Sequence, residues 1–567
     1  MTHYPMAERY LAETHRVENI PPLLENYNLY TQDPALMAAV TREGGAWANE
    51  TLTQFGALTG SCERINWGEQ ANRYPPRFTS HNRYGERVDE IEFHPAYHQL
   101  MKTAKESGLH ALPWTQSGPG VHVVRAALYY QQAQIEAGHG CPITMTFACI
   151  PTLRKQTDIA KAWLPKILSP EYDPSNRPDQ EKQGLTLGMA MTEKQGGSDV
   201  RTNSTQAYAI GTGGPGQAYE LVGHKYFVSA PMSDGFLTLA KTDQGISCFL
   251  IPRWRPDGSK NPMHINQLKD KMGNVSNASC ETELRGALAW MIGEEGRGIA
   301  NILEMVALTR FDCIIGSSAG MRQAVSQAVH HCTHRSAFGN TLTQQPLMQN
   351  VLADLALEAE AATALTFRLA RALDRSLTDE AEALLNRLAT PIGKFWVCKR
   401  TPEHAYEAME CIGGSGAMET TRMPRLYREA PINAIWEGSG NIQCLDVLRA
   451  IEKSPDALDV FLAEVKLSHG QHPALDTTIR DLEKRLLKPK ELEYHARELV
   501  TKMALALQGS LLIRAGQAAV SDAFCAVRLA PDNTRIYGSL PKGVDCQALI
   551  ARARPDIDLS PSRAIPG

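Results

Sequence analysis

The sequence lacks several features that would place it in a class at once. It has no uninterrupted run of 18 apolar residues, so nothing in it predicts a membrane span. Its first residues, Met1-Thr2-His3-Tyr4-Pro5, contain no apolar core of a signal peptide, and its twelve cysteines include no C-x-x-C pair. These absences favour a protein of the reducing cytoplasm.

Neither sign of charge is in large excess. The chain carries 58 Lys and Arg against 62 Asp and Glu, for a formal net charge of −4. Such a chain has no overall attraction for nucleic acids or anionic membranes, so a partner of that kind must meet a local patch. Internal repeats and low-complexity tracts are also missing, while 567 residues at 43% hydrophobic content suffice for several domains or one large composite.

Hydrophobic periodicity and turn residues divide the chain into four consecutive segments. Residues 1–184 are predicted to be helices broken by loops, 185–295 a small all-β module, 296–450 packed antiparallel helices, and 451–567 a further helical domain. The predicted strands are 185–192, 219–229, 236–240, 246–251 and 278–284. The predicted helices include 121–137, 299–307, 313–331, 349–372, 380–400, 476–487 and 491–515.

Glu437 is the most informative residue. It follows the apolar pair Ile435-Trp436 and precedes Gly438-Ser439-Gly440-Asn441. The glycines would let the backbone approach a planar cofactor, and burial beside Trp436 would raise the pKa of Glu437, as suits a base that removes a proton from carbon. The same stretch also fits a helix entered through a Gly-Ser turn, with Glu437 solvated near the cap.

A second stretch, residues 189–199, lies at the end of the first predicted strand. Thr192 and the turn Gly196-Gly197-Ser198 offer hydroxyl groups and free backbone N–H groups. These suit the edge of a flavin and a diphosphate. The alternative is a polar hairpin loop, because glycine-rich turns are common in β modules.

Together the two stretches resemble the acyl-CoA dehydrogenase family of flavoproteins, and further motifs match in order over about residues 100 to 450. The resemblance implies an α+β multidomain protein of the acyl-CoA dehydrogenase fold. That fold has an N-terminal helical domain, a central β-barrel and a four-helix bundle. Here an added C-terminal helical domain, residues 451–567, follows them.

The resemblance also implies FAD, bound between the β domain and the bundle. Phe227 and Ser229 match the strand Gly-x-Lys-x-aromatic-x-Ser, and Arg335 with Phe338 matches an Arg-x-x-Phe-Gly motif that reaches the cofactor of a neighbouring subunit. The implied cofactor-binding residues are Met189, Ala190, Met191, Thr192, Gly197, Ser198, Phe227, Val228, Ser229, Arg335, Phe338, Gln345, Gly413, Gly414, Ile435, Trp436, Gly438, Ser439, Gly440 and Asn441.

Glu437 matches the catalytic base of the family. It would remove the α-proton of an acyl thioester while the flavin accepts the β-hydride. Some relatives carry the base on a bundle helix before an Arg, but here Thr309 precedes Arg310. The thioester side departs more from the family pattern than the flavin side: Ala307 stands where many relatives hold the CoA portion, Pro346 displaces a Gln, and Glu410 replaces a Gln.

Stretches 141–147, 269–280 and 426–441 resemble an alkylation-response branch of the family. That branch implies a homotetramer with weak acyl-CoA dehydrogenase activity. An intact flavin and base beside an altered thioester site also lead to the hypothesis that the protein acts directly on an alkylating small molecule. It also implies binding of double-stranded DNA through the C-terminal domain and protection against alkylation damage. The alternatives are a metabolic acyl-CoA dehydrogenase whose extension serves oligomerisation, and a DNA-shielding protein with a vestigial flavin.

The extension is only slightly basic, with sixteen Lys and Arg against fifteen Asp and Glu from residue 451. DNA contact needs a basic face rather than a basic average. From the residues alone a solvated helical surface used for subunit packing is favoured, and the resemblance shifts the preference to DNA contact. The candidate DNA-binding residues are Arg449, Lys484, Arg485, Arg514, Arg528 and Arg535. No metal site is predicted, because no ligand set completes the group His330, His331, Cys332 and His334.

Overall fold

The computed structural model describes residues 15–487, 492–530 and 536–557. The N-terminal part is helical, as predicted, and its helix α6 begins where Asp374 accepts hydrogen bonds from the backbone N–H groups of Gly120 and His122. The helices are α1 Pro34–Arg42, α2 Asn49–Thr59, α3 Cys62–Arg73, α4 Pro95–Glu106, α5 Leu112–Thr115, α6 Val121–Ile135, α7 Gly140–Arg154 and α8 Thr157–Ile167, with 3₁₀ turns at Ala46–Ala48 and Asp179–Glu181.

The N-terminal part also contains an antiparallel hairpin that the sequence did not predict, formed by β1 Arg77–His81 and β2 Arg87–Glu92. Most of its residues are charged or polar and only Ile91 is buried. A two-stranded ribbon with so little buried surface shows almost no alternation of apolar and polar residues, which explains why the pattern was missed.

The central module is a seven-stranded sheet in which β4, β5, β9, β7 and β6 pair in a closed ring. Its strands are β3 Leu187–Ala190, β4 Gln206–Ala209, β5 Ala218–Ser229, β6 Gly235–Thr242, β7 Gly245–Pro252, β8 Met263–Leu268 and β9 Ser279–Ile292, with a 3₁₀ turn at Val200–Thr202. The five predicted strands are confirmed. The two missed strands, β4 and β8, have few buried residues and therefore little apolar signal.

The bundle is built on α9, which runs unbroken over Gly298–His334 where two helices were predicted. Thr309 and Asp312 interrupt the apolar pattern, yet both are buried, and Asp312 forms an ion pair with Arg125. The other elements are β10 Ser336–Ala337, β11 Asn340–Thr341, α10 Pro346–Arg375, α11 Glu380–Ile412, α12 Met423–Glu429, α13 Ile432–Ile435 and α14 Gly440–Lys453, with 3₁₀ turns at Leu342–Gln344 and Gly413–Ala417.

The C-terminal extension packs on the bundle. One continuous hydrophobic core includes Phe367 of α10, Phe461 of the extension and Leu549 near the end of the described chain. The helices are α15 Pro455–Lys466, α16 Pro473–Leu486, α17 Ala496–Ala515, α18 Ala518–Arg528 and α19 Cys546–Ala553. Within the described ranges no helix is long and apolar enough to cross a bilayer.

Candidate active site

Glu437 lies between α13 and α14. Residues 433–443, which also include the end of α13 and the start of α14, are called the base segment below. Three side chains from the surrounding helices hold its backbone. The buried Lys394 of α11 donates to the carbonyl oxygens of Trp436 at 2.7 Å and Gly438 at 2.6 Å. Arg310 Nε donates to the Glu437 carbonyl at 3.0 Å, and Gln443 Nε2 donates to the same oxygen at 3.1 Å. The sequence predicted none of these contacts.

The backbone of Glu437 adopts φ +56°, a left-handed conformation that costs energy for a residue with a side chain. The hydrogen bonds from Lys394, Arg310 and Gln443 therefore hold a strained turn in place. Such strain is kept only where the surrounding structure imposes it. The alternative of a freely solvated residue beside a helix cap does not fit this arrangement.

The Glu437 carboxylate meets α9. Thr309 Oγ1 donates to Glu437 Oε2 at 2.7 Å. Burial raises the pKa of Glu437 above its ordinary value, while the Thr309 hydrogen bond and the charges of Lys394 and Arg310 oppose that rise. A carboxylate with a raised pKa is a stronger base for a carbon acid. From the sequence, Thr309 is notable only because it stands where some relatives carry the base. In the structure it is a hydrogen-bond partner of Glu437.

The glycines of the base segment have a different role from the predicted one. A Cβ on Gly438 would lie 2.7 Å from Gln443 Nε2, and a Cβ on Gly440 would lie 3.2 Å from Lys399 Cε. The missing Cβ of each glycine therefore makes room for neighbouring protein atoms. The prediction that it makes room for a planar cofactor is wrong for these two positions. By contrast, a Cβ on Gly413 or Gly414 would meet no described atom within 4 Å.

The facing wall comes from the β module. The loop after β3, residues 192–199, is called the flavin loop below. It is fixed by the buried pair Glu193 and Lys225, whose atoms Oε1 and Nζ are 2.9 Å apart. Burial alone would raise the pKa of Glu193, but Lys225 and the hydrogen bonds from Ser204 and Thr205 lower it to about 2. This ion pair ties the flavin loop to β5.

Strand β5 presents alternate side chains to the two sides of the sheet. The Phe227 ring is 45% exposed, and Ser229 is half-buried. Val228 and Ala190 are buried in the opposite cluster with Phe236. Any contact of Val228 or Ala190 with a cofactor would therefore come from the main chain.

The two walls meet at Cys141, the second residue of α7. Its thiol lies near Ser229, Asn277, Glu437 and Lys271. Burial raises the pKa of Cys141 to about 11, so this residue stays a thiol near neutral pH. Cys141 thus lies near both Ser229 of the β module and Glu437 of the bundle, and the region around these three residues is called the cleft below.

The residues of this cleft fit the predicted flavin. No described residue bonds the hydroxyl groups of Thr192, Ser198 and Ser439, and the exposed Phe227 ring lies on the same strand as Ser229. Free hydroxyls, an aromatic face and a loop with free backbone N–H groups match the polar edge, the ring and the diphosphate of FAD.

The remaining predicted cofactor residues either form contacts within the protein or are exposed. Phe338 is 97% exposed with φ +52°, and Arg335 Nη1 donates to the Asn19 carbonyl at 2.6 Å. Gln345 Nε2 donates to the Ala337 carbonyl at 3.1 Å. Asn441 Oδ1 accepts a 2.7 Å hydrogen bond from Arg497 of the extension. Ile435 is exposed, Trp436 donates to Asn433, and Met189 and Met191 pack on the β core.

Three of the six candidate DNA-binding cations form ion pairs with carboxylates of this chain. Arg528 is buried and pairs with Asp354 and Glu358, so the prediction that it contacts DNA is wrong. Arg514 pairs with Glu464, and Arg485 pairs with Asp481 and Glu498. Arg449 and Lys484 are exposed and form no ion pair with a described residue, while Arg535 lies outside the described residues. In the described ranges no group of three His, Cys, Asp or Glu side chains could hold a metal ion.

Known domain families match three consecutive stretches of the chain. Residues 19–174 match the adaptive response protein AidB N-terminal domain. Residues 188–287 match the middle domain of acyl-CoA dehydrogenases, and residues 296–452 match their C-terminal domain. The matched stretches include Glu437, the flavin loop and β5.

Individual relatives agree with these matches. AidB of Escherichia coli strain K12, a provisionally named acyl-CoA dehydrogenase, is 46% identical over 519 residues, which are 91% of this chain and 95% of that protein. Acyl-CoA dehydrogenase family member 11 of Caenorhabditis elegans is 30% identical over 500 residues, which are 82% of this chain and 79% of that protein.

Solved structures show the same architecture. The crystal structure of Caenorhabditis elegans ACDH-11 in complex with C11-CoA superposes with a TM-score of 0.83 at 28% identity, covering 92% of this chain and 93% of that one. An acyl-CoA dehydrogenase complexed with FAD from Bacillus anthracis gives a TM-score of 0.65 at 18% identity over 89% of each chain, a likeness of fold alone. The chain belongs to the acyl-CoA dehydrogenase family of FAD-containing oxidoreductases and is similar to AidB over most of its length.

Proposed function

We propose that this protein oxidises an acyl-CoA at Cα and Cβ, with Glu437 as the base and FAD as the hydride acceptor. The carrying observation is the Glu437 carboxyl, buried against Thr309 with a raised pKa and bordering the same cleft as Ser229. FAD supplies the hydride-accepting chemistry. Lys394, Arg310 and Gln443 fix the base, Thr309 orients its carboxylate, and Thr192, Ser198, Phe227, Ser229 and Ser439 offer contacts to the cofactor.

The test is bleaching of the bound flavin by saturated acyl-CoAs. The chain lengths should include eleven carbons, because the ACDH-11 relative was solved with C11-CoA. We expect slow bleaching, since Ala307 of α9 has no polar group with which to hold the CoA portion. The Glu437→Gln variant should keep FAD and lose bleaching by about 10²- to 10⁴-fold, the usual contribution of a positioned base.

The matched control is Glu452→Gln, an exposed glutamate at the other end of α14. It should bleach at the rate of the unmodified protein. Normal bleaching by Glu437→Gln would remove Glu437 from the mechanism. Absence of bleaching by every acyl-CoA, in a protein that holds FAD, would reject the dehydrogenase function itself.

We also propose that the protein assembles as a homotetramer in which subunits share cofactor sites. Arg335 follows Arg310 by 25 residues along α9, which places them about 37 Å apart. That distance supports the reading in which Arg335, Phe338, Gln345, Gly413 and Gly414 serve the FAD of a neighbouring subunit. Sedimentation should give a tetramer, and Phe338→Asp should weaken it and release FAD.

The resemblance to the alkylation-response branch supports binding of double-stranded DNA and protection against alkylation damage. Of the six predicted cations, the exposed Arg449 and Lys484 remain the best candidates. The double variant Arg449→Ser/Lys484→Ser should weaken duplex binding and lower the salt dependence by about two released counterions. Arg83→Ser, which removes an exposed cation from the β1–β2 turn, should change neither.

One observation favours the alternative that the extension serves assembly and the enzyme is metabolic. Arg514, Arg528 and Arg552 all pair with carboxylates, and the partners of Arg528 and Arg552 belong to α10 of the bundle. Rapid bleaching by an acyl-CoA, combined with no salt-dependent DNA binding, would select this alternative. If cells treated with a methylating agent survive equally well with and without the protein, the proposed role in alkylation protection is also rejected.

A further inference from the structure

A chain of side chains leads from a buried amine to Ser229. Lys271 Nζ donates to the Asn277 carbonyl at 2.7 Å and to Ser279 Oγ at 3.0 Å. Ser279 Oγ in turn lies 3.0 Å from Ser229 Oγ, because the two serines are cross-strand partners on β9 and β5. The motif comparison assigns a role to Ser229 only. Lys271 and Ser279 are not part of the predicted site.

The direction of these hydrogen bonds follows from the donors available. A lysine ammonium can only donate, so Ser279 Oγ accepts from Lys271. Ser279 is 2% exposed, and Ser229 is the only other described group within hydrogen-bonding distance of its hydroxyl. A buried hydroxyl proton left unpaired is costly, so Ser279 donates to Ser229. The proton of Ser229 is then free to point into the cleft.

The thiol of Cys141 also lies near Ser229. A thiol sulfur is a weak acceptor. Ser229 is therefore prepared to donate to a stronger acceptor brought by a ligand. Burial lowers the pKa of Lys271 to about 8, opposed near neutral pH by the charge of Glu136, so the amine stays largely protonated there.

We propose that Lys271 is a positioning residue that acts through Ser279 to hold the Ser229 hydroxyl as a hydrogen-bond donor to the flavin edge. This inference rests on the proposed function, which puts the ring beside Ser229. FAD bound there would accept a hydride from the β-carbon of the substrate while Glu437 would take the α-proton. The fixed Ser229 donor and the nearby Lys271 cation would stabilise the negative charge added to the flavin and so favour its reduced state.

The flavin reduction potential of the holoprotein at pH 7 tests the inference. Lys271→Met and Ser279→Ala should each shift the reduction equilibrium about tenfold toward the oxidised state, which is about 30 mV for a two-electron couple. Ser279→Ala removes the relay while keeping the Lys271 charge. The matched control is Lys241→Met on β6, which should leave the potential unchanged.

Ser229→Ala distinguishes the possible failures. If it lowers the potential while Lys271→Met and Ser279→Ala do not, the inference is overturned and the proposed function stands. If all three variants bind FAD with an unchanged potential, the ring does not lie beside Ser229, and the proposed placement of the flavin fails with the inference. A Lys271→Met protein that does not fold leaves Ser279→Ala to decide the question alone.

Discussion

Buried ion pairs have different roles in the β module, called the flavin side below, and in the C-terminal extension. At the flavin side, Lys225 neutralises Glu193 and thereby fixes a loop whose hydroxyl groups stay unpaired. In the extension, Arg528 forms ion pairs with Asp354 and Glu358, and these pairs hold α18 against the bundle. The comparison teaches that a charged residue points to ligand binding only when its contacts leave neighbouring polar groups available.

The largest expected effect comes from breaking the flavin-side pair. Lys225→Met leaves the Glu193 carboxylate buried without its cation, so we expect the free energy of unfolding to fall by about 3–5 kcal/mol. FAD should be lost as well, because Glu193 anchors the flavin loop to β5. Chemical denaturation and the flavin content of the purified protein measure the two effects.

The double variant Lys225→Met/Glu193→Gln is the control, since it removes the stranded charge. It should recover much of the stability without recovering full FAD content, because the loop remains untied. Recovery of both would mean that the pair is purely structural. A Lys225→Met protein as stable as the original would contradict the assignment of a buried ion pair.

Breaking the pair in the extension should affect stability alone. Arg528→Met leaves Asp354 and Glu358 without this partner, but Arg400 still contacts Glu358 at 3.3 Å. We therefore expect a loss of about 3 kcal/mol, at the lower end for a buried pair. FAD content and flavin bleaching should be retained. Arg480→Met, an exposed cation on α16, should change nothing.

The comparison also shows how far the sequence could lead. The flavin loop, β5 and Glu437 were predicted because each lies in a short motif whose residues are neighbours in the chain. The Lys394 contacts to Trp436 and Gly438 cross 42 and 44 residues, and the Thr309 contact to Glu437 crosses 128. No local pattern encodes such contacts, so the partners of the base could only be found in the folded protein.

Prediction failed for the extension for a related physical reason. A count of cations from residue 451 cannot tell Arg528, which faces two carboxylates of α10, from the exposed Lys484. Likewise the buried Thr309 and Asp312 broke the apolar pattern of α9 although both are satisfied by partners. The role of a charged or polar residue can be assigned only when its partner in the folded protein is known.

A smaller effect is expected at the carboxylate itself. The Thr309 hydrogen bond stabilises the charged form of Glu437 and so lowers its pKa. Thr309→Val removes that bond and raises the pKa further, which shifts the acidic limb of the bleaching rate to higher pH. Bleaching should fall several-fold at mildly acidic pH and recover in alkali. The same loss at every pH would mean that Thr309 orients the base without tuning it.

The smallest expected effect lies where the two regions touch. Arg497 of α17 donates to Asn441, which follows the Ser439-Gly440 turn of the base segment. Arg497→Gln removes one exposed hydrogen bond, so we expect FAD affinity to fall by about two- to tenfold. The matched variant Lys453→Gln, at the far end of α14, should not change it. If FAD affinity does fall, FAD binding must in turn stabilise the contact of Arg497 with Asn441 by the same free energy, because coupling between two sites is reciprocal. An unchanged affinity would make the extension and the flavin side energetically independent despite their contact.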